Sequence, residues 1–242
     1  EHIIEAYKKL DAAGKEKLAA QVEKIDWSIV AMAGHGDLAQ ERGKLEPLSA
    51  LEVSEIEKNR AKYETLGLDA IRAGKVGAVL LAGGQGTRLG SDGPKGKYNI
   101  GLTKEVFIFE RLIRNLSDVT DKAGCYVPLY VMTSDKNNDE TIAFFEEKNY
   151  FGYPKDYVLF FKQEMAPSVD FNGKLYMEAP DSLSLSPNGN GGWFYSMAVT
   201  GVLKDVKARG VEWLNIFAVD NVLQRIADPV FVGATLDSGC VS

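Results

Sequence analysis

Apolar residues recur every third or fourth position from the start of the chain. Ile4, Tyr7 and Leu10 form one set, and Leu18, Val22 and Ile25 another, each among lysines and glutamates. This spacing puts them on one face of a helix and predicts amphipathic helical structure as far as about Gly74. Pro47 interrupts the pattern, and a second polar-faced helix is expected around Glu52–Leu66. From Lys75 the period changes. Val76–Ala82 is a continuous apolar run of the kind that fills a strand buried on both faces. Further strands are expected at Tyr126–Thr133, Val158–Lys162 and Trp213–Val219. Helical spacing returns between them, in Glu105–Leu116 (Phe109, Leu112, Ile113 and Leu116 on one face), Asp139–Lys148 and Trp193–Lys207. Asn172-Gly173, between Val169–Phe171 and Leu175–Met177, carries the signal of a two-residue hairpin turn.

Strands alternating with helices predict an α/β fold: a mostly parallel, Rossmann-like sheet with helices on both faces over 75–242, after a helical N-terminal domain over 1–74. Ligands of open sheets bind beyond the carboxyl ends of the strands. Three polar clusters fall at such ends: Gly83–Lys95, Gln163–Pro167 and Asp220-Asn221.

The first cluster carries the chemistry. LAGGQGTRLG at Leu81–Gly90, followed by Pro94-Lys95-Gly96, turns a buried strand into a glycine loop with Arg88 and Lys95 as its cations. Glycines let backbone N–H groups approach an anion, and fixed cations neutralise it. A Walker A loop has four residues between its glycines and a hydroxyl after the lysine. Here Gly90 and Gly96 are separated by five residues, and Tyr98 takes the hydroxyl position. The dinucleotide fingerprint GxGxxG fails too, because Leu89 stands where the third glycine belongs. Nucleotidyl transfer fits. A sugar 1-phosphate is already anionic, so attack on a nucleoside triphosphate needs alignment and charge neutralisation rather than a protein nucleophile. Arg88 and Lys95 serve the β/γ-phosphates. Mg²⁺ or Mn²⁺ bridges near the α-phosphate, with Asp220 at the end of its strand as ligand. Asp220 could instead be the N-cap of a following helix.

Composition narrows the partners. The 242 residues, 45% hydrophobic and 26% charged with a net charge of -6, offer no basic stripe for nucleic acid. No apolar stretch approaches the roughly 20 residues of a membrane span, and the first residues do not look like a signal peptide. A reducing cytoplasm is the expected location. Cys125 and Cys240 imply neither a disulfide framework nor a metal motif, and His2 and His35 are too few for a histidine-built metal site. Phe144-Phe145, Phe160-Phe161 and Trp213 fit core packing, while Trp193-Phe194-Tyr195 fits either core or pocket wall. Nothing in the sequence signals an oligomeric state.

Taken in order, these motifs resemble the eukaryotic-type UDP-N-acetylhexosamine (UDP-N-acetylglucosamine) pyrophosphorylases of the UDP-sugar pyrophosphorylase superfamily. The likeness runs through Leu81–Gly90, Pro94-Lys95-Gly96, Ile100-Gly101-Leu102, Gln163–Pro167, Pro187–Gly192 and Val219–Leu223, and extends to the Glu1-His2 start. It implies a nucleotide-diphospho-sugar transferase (GT-A-like) fold and a reaction of UTP with an N-acetylhexosamine 1-phosphate to UDP-sugar and pyrophosphate. Leu81, Ala82, Gly83 and Gly84 would lie along the uridine, Gln163 would meet the uracil edge, and Gly189 would pass close to the base. Asn190 would bind the sugar, Arg88 and Lys95 would face the triphosphate, and Asp220 the metal. Gln163 could otherwise be a surface residue at a strand end, and Asn190 a turn former. The resemblance also implies that the catalytic domain continues past Ser242, with a second metal-binding aspartate and a further lysine. The chain is therefore expected to be truncated and weak or inactive alone. A UDP-glucose/UDP-galactose-type pyrophosphorylase and a non-catalytic uridine-nucleotide-binding piece are the competing readings.

Overall fold

The amphipathic start of the chain folds as α1 (His2–Lys9), α2 (Ala12–Glu23) and α3 (Trp27–Met32). The computed structural model describes residues 1–32, 44, 46, 47 and 50–240. Two compact units emerge, one made of Glu1–Ser49 with Glu164–Asn188, the other of Ala50–Gln163 with Gly189–Ser242. The boundary expected at 74/75 falls inside the second unit, because the helix preceding it, α4 (Val53–Arg72), packs there.

The second unit is built on four strands, β1 (Val76–Leu81), β2 (Leu129–Thr133), β3 (Val158–Lys162) and β8 (Trp213–Ala218). They form one sheet of order β3-β2-β1-β8, parallel at every pairing. β1 is buried along its whole length, as its unbroken apolar run requires, and its residues divide by parity. Val76, Ala78, Leu80 and Ala82 join the core made with α4, α5 (Ile108–Ala123), α6 (Asn138–Glu147) and α9 (Pro229–Ser238). Val79 and Leu81 join the opposite core with Met197 of α7 (Trp193–Val199) and Val202 and Val206 of α8 (Val202–Ala208). The sheet is thus covered on both faces, as the alternating pattern predicts.

Helix limits differ from expectation in several places: α4 runs on past Leu66 to Arg72, and α5 starts at Ile108 rather than Glu105. α5 runs seven residues past Leu116, since Val119 and Ala123 continue its apolar face until Gly124 closes it at φ 74. The single helix expected over Trp193–Lys207 is split by Gly201, whose φ of 82 lies in the left-handed region and breaks the helical path between α7 and α8. α4 and α9 approach backbone to backbone. A Cβ on Gly67 would lie 1.9 Å from the Pro229 carbonyl oxygen, and one on Gly233 would lie 1.8 Å from that of Tyr63.

In the first unit, Leu18 of α2 and Ile25, two residues past its end, share a core with Leu175 and Leu183. Short antiparallel pairs carry the latter: β4 (Met165–Pro167) with β7 (Leu185–Pro187), and β5 (Met177–Ala179) with β6 (Ser182–Leu183). Gln21 ties helix to strand, donating to Ser182 Oγ at 3.3 Å and accepting the Leu183 N–H at 2.8 Å. The Asn172-Gly173 hairpin is real but wider than a two-residue turn. Val169 bridges Leu175, and only Gly173 has positive φ. Asp170 explains this: its carboxylate accepts the N–H groups of Asn172 and Lys174, both at 2.8 Å, and so holds a larger loop.

Candidate functional site

Gly83–Lys95, Gln163 and Asp220-Asn221 follow directly from the carboxyl ends of β1, β3 and β8. Ladder hydrogen bonds carry on past the strands there: Ala82 donates to Met132 O at 2.8 Å, Gln163 to Thr133 O at 2.8 Å, and Val219 to Leu81 O at 3.1 Å. After Ala82 the chain leaves the sheet as a loop. Gly86 donates to Gly93 O at 2.9 Å, and Lys95 donates to Gly84 O at 3.3 Å, so Gly84–Lys95 closes on itself like a narrow hairpin. Thr87–Leu89 is a 3-10 turn ended by Gly90 at φ 72. The Arg88 side chain lies outside the described part of the structure. Gly96 sits hard against Phe109, where a Cβ would come within 2.2 Å of the ring, so the lysine-bearing segment is seated on α5.

Gln163 is brought to this loop by the parallel register. Although β3 is two strands away from β1, the Gln163 amide lies directly on Gly83, where a Cβ would be 2.4 Å from Nε2. Gln163 is 7% exposed, which removes the reading of a surface strand-end residue. Its amide makes no hydrogen bond to another described residue, and Gln163 Oε1 and Nε2 are not among the buried atoms left without a partner.

Lys95 and Asp220 also meet. Lys95 Nζ donates to Asp220 Oδ1 at 2.6 Å, with side chains 19% and 63% exposed. Asp220 is not a helix N-cap. That role belongs to Asp228, whose carboxylate accepts the Val230 and Phe231 N–H groups of α9 at 2.8 and 3.2 Å. The segment after Asp220 is held from α5: Asn115 donates to the carbonyls of Val222 at 3.0 Å and Gln224 at 2.9 Å. An exposed carboxylate with one oxygen bound to Lys95 suits a hard divalent cation. No group of three or more His, Cys, Asp or Glu able to hold a metal occurs among the described residues.

Gly189 and Asn190 open the helix on the other face. Gly189 has φ 78, and Asn190–Gly192 forms a 3-10 turn leading into α7, with Asn190 exposed. Trp193 packs against the core under α7, while Phe194 and Tyr195 stay more than half exposed. Of the two histidines, the His2 ring bonds the Leu175 carbonyl at 2.7 Å in the first unit, and His35 lies outside the described residues. A cavity of about 460 Å³ between α4, α5 and residues 223–230 contains none of the expected site residues, and its walls hold the Lys122–Glu64 and Arg225–Asp228 ion pairs.

One residue at the site was not anticipated. Asn137, in the turn after β2, donates to the carbonyls of both Ala82 and Gly84. An Asn just before a helix reads as its cap, and only the fold shows that its side chain points elsewhere.

This arrangement coincides with a known sequence profile. The profile of the family described as UTP--glucose-1-phosphate uridylyltransferase matches residues 17–241. The chain belongs to that family. Within it, the chain is 41% identical over 84% of its length to a UDP-N-acetylglucosamine pyrophosphorylase of Saccharomyces cerevisiae, and covers 43% of that protein. It is 35% identical over 96% of its length to the UDP-N-acetylhexosamine pyrophosphorylase-like protein 1 of Mus musculus, covering 50% of it. The crystal structure of the uridine diphosphate N-acetylglucosamine pyrophosphorylase from Trypanosoma brucei, in complex with inhibitor, superposes with a TM-score of 0.84. That match has 29% identity and covers 98% of this chain and 52% of that one. The chain thus spans about half the length of the family members it matches. Their shared fold is a nucleotidyltransferase fold, in agreement with the parallel sheet found here. No helix among the described residues is long and apolar enough to cross a membrane.

Proposed function

We propose that this protein is a uridylyltransferase that joins UTP to an N-acetylhexosamine 1-phosphate, N-acetylglucosamine 1-phosphate in the first instance, releasing pyrophosphate. The observation that carries the reading is the order of groups along the sheet edge. A side-chain amide (Gln163) stands at one end, the glycine loop lies in the middle, and a lysine and a carboxylate (Lys95, Asp220) stand beside β8. A uridine triphosphate has the same order: an amide-like base edge, a ribose, then a polyanion.

In this reading Gln163 meets the uracil N3–H and O4 with its own acceptor and donor. Leu81, Ala82, Gly83 and Gly84 bring backbone close to the nucleoside, and Gly189 leaves room beside the base. Asn190 hydrogen-bonds the sugar of the second substrate. A phosphate oxygen of the sugar 1-phosphate attacks the α-phosphorus; a P–O bond forms there, and the α–β bridging P–O bond breaks. The bonding electrons leave on pyrophosphate, so no proton transfer to the protein is needed. Lys95 and Arg88 neutralise the charge that builds on the departing phosphates. Asp220 would hold Mg²⁺ or Mn²⁺, which when bound supplies charge neutralisation at the phosphates. The preference for an N-acetylated sugar rests on the names of the relatives, and a glucose or galactose 1-phosphate is the nearest alternative. A reducing cytoplasm suits the two free cysteines, Cys125 and Cys240.

Pyrophosphate release from UTP is measured with N-acetylglucosamine, N-acetylgalactosamine, glucose and galactose 1-phosphates, alongside calorimetric titration of UTP. Turnover highest with an N-acetylated sugar is expected. Turnover with glucose 1-phosphate alone would replace the sugar assignment, and absence of UTP binding would remove the uridylyltransferase reading.

A further inference from the structure

Asn137 is buried to 1% exposure and every polar atom of its side chain is engaged. Oδ1 accepts the Ser134 N–H at 2.8 Å, and Nδ2 donates to the Ala82 carbonyl at 3.0 Å and the Gly84 carbonyl at 3.2 Å. It occupies the N-cap position of α6 without capping that helix. A turn on β2 therefore grips the glycine loop by its acceptors. The N–H groups of Gly83, Gly84 and Gln85, meanwhile, donate to nothing among the described residues. In a trans peptide the C=O of one residue and the N–H of the next point opposite ways in one plane. Fixing the carbonyls of Ala82 and Gly84 thus fixes the N–H groups of Gly83 and Gln85, pointing away from Asn137.

We infer that Asn137 is a positioning residue that aims the Gly83 and Gln85 N–H groups at the acceptor oxygens of a uridine nucleotide. The inference rests on the uridine-binding reading above and adds to it the residue that pre-orients the loop. Oriented in advance, the donors cost no reorganisation when the ligand arrives, which is where such groups draw their strength.

Two variants isolate the donor bonds. Asn137→Ala removes all three hydrogen bonds. Asn137→Asp has nearly the same shape and keeps the acceptor for Ser134, but it sets a carboxylate oxygen against two carbonyls. Amide hydrogen exchange of residues 84–95, the thermal midpoint and the Kd for UTP are measured for each. In both variants the protection of the Gly86 and Lys95 amides, which bond the Gly93 and Gly84 carbonyls and close the loop, should fall and the Kd for UTP rise, each about tenfold, with cooperative melting retained. An Asp variant that exchanges and binds like the wild type would show that the Ser134 bond alone matters, and would overturn the proposal. Loss of cooperative melting in both variants would overturn it as well, by making Asn137 a general structural residue. If the wild type itself fails to bind UTP, the uridine reading falls, and exchange at Gly86 and Lys95 still decides whether Asn137 orients the loop.

Discussion

Gln163 was marked in the sequence by its place at the end of an apolar strand and by the resemblance of Gln163–Pro167, while the register that lays it on Gly83 was visible only in the fold. Its amide makes no hydrogen bond to another described residue and is free to take one from a ligand. Gln163→Ala should raise the Kd for UTP and UDP-sugar about tenfold or more with little change in the melting point. Parallel titrations with uridine and cytidine nucleotides check this, since discrimination between the bases should shrink. Equal weakening of both would remove the uracil assignment. Lys95 and Asp220 were easier to read, being charges placed just after strands, where a fold of this class gathers its ligands. Asn137 was not legible. In Ser134–Asn138 it looks like any turn former, and the carbonyls it grips lie far back in the chain.

Elements followed their local patterns wherever one face was buried, and departed from them where a distant partner intervened. β1, β3 and β8 were read to within a residue, the apolar runs of β1 and β8 being ones that only a doubly covered sheet can bury, whereas β2 starts at Leu129, past Pro128, rather than at Tyr126. The Trp193–Lys207 stretch kept its helical spacing on both sides of Gly201, so the break between α7 and α8 rests on one residue's backbone angle. α4 looked like a continuation of the N-terminal helices because its polar-faced texture matches theirs. Gly67 and Gly233 are what bind it to α9, and glycines leave no mark on an apolar period. Gly67→Ala or Gly233→Ala drives a methyl into carbonyl oxygen at under 2 Å and should destabilise by about 3 kcal/mol, the upper part of the usual overpacking range. Urea unfolding of each variant checks this; a loss below about 1 kcal/mol would mean that the helices part at little cost.

For the molecule as a whole, acid weakens the unit that contains the N-terminal helices through two of its carboxyls. Asp170 is held below its ordinary 3.8 by the N–H groups of Lys174 and Asn172, and Asp181 is held below it chiefly by its hydrogen bond from Lys17. A depressed carboxyl stabilises the fold above its unfolded pKa and loses that contribution as pH falls through the folded one. The protection factors of the Asn172 and Lys174 amides, taken relative to intrinsic exchange at each pH, should fall as pH drops below that ordinary 3.8. Unchanged protection there would contradict the role given to Asp170. The charge of the chain, -6 overall, raises a different matter. The proposed function asks an acidic protein to admit a polyanion although its Lys95 is already matched to Asp220 at 2.6 Å. A partly exposed pair of this kind is worth about 1 kcal/mol or less, little enough for a triphosphate to displace. Entry of the nucleotide is then an exchange of counterions: the phosphates take the lysine, and the released aspartate needs a cation of its own. Nucleotide and divalent metal should each tighten the other's binding, by the reciprocity that any coupled pair obeys. Asp220→Asn ought to separate the two halves of the exchange. Calorimetry without metal should give UTP binding at least as tight as wild type, and added Mg²⁺ should no longer improve it.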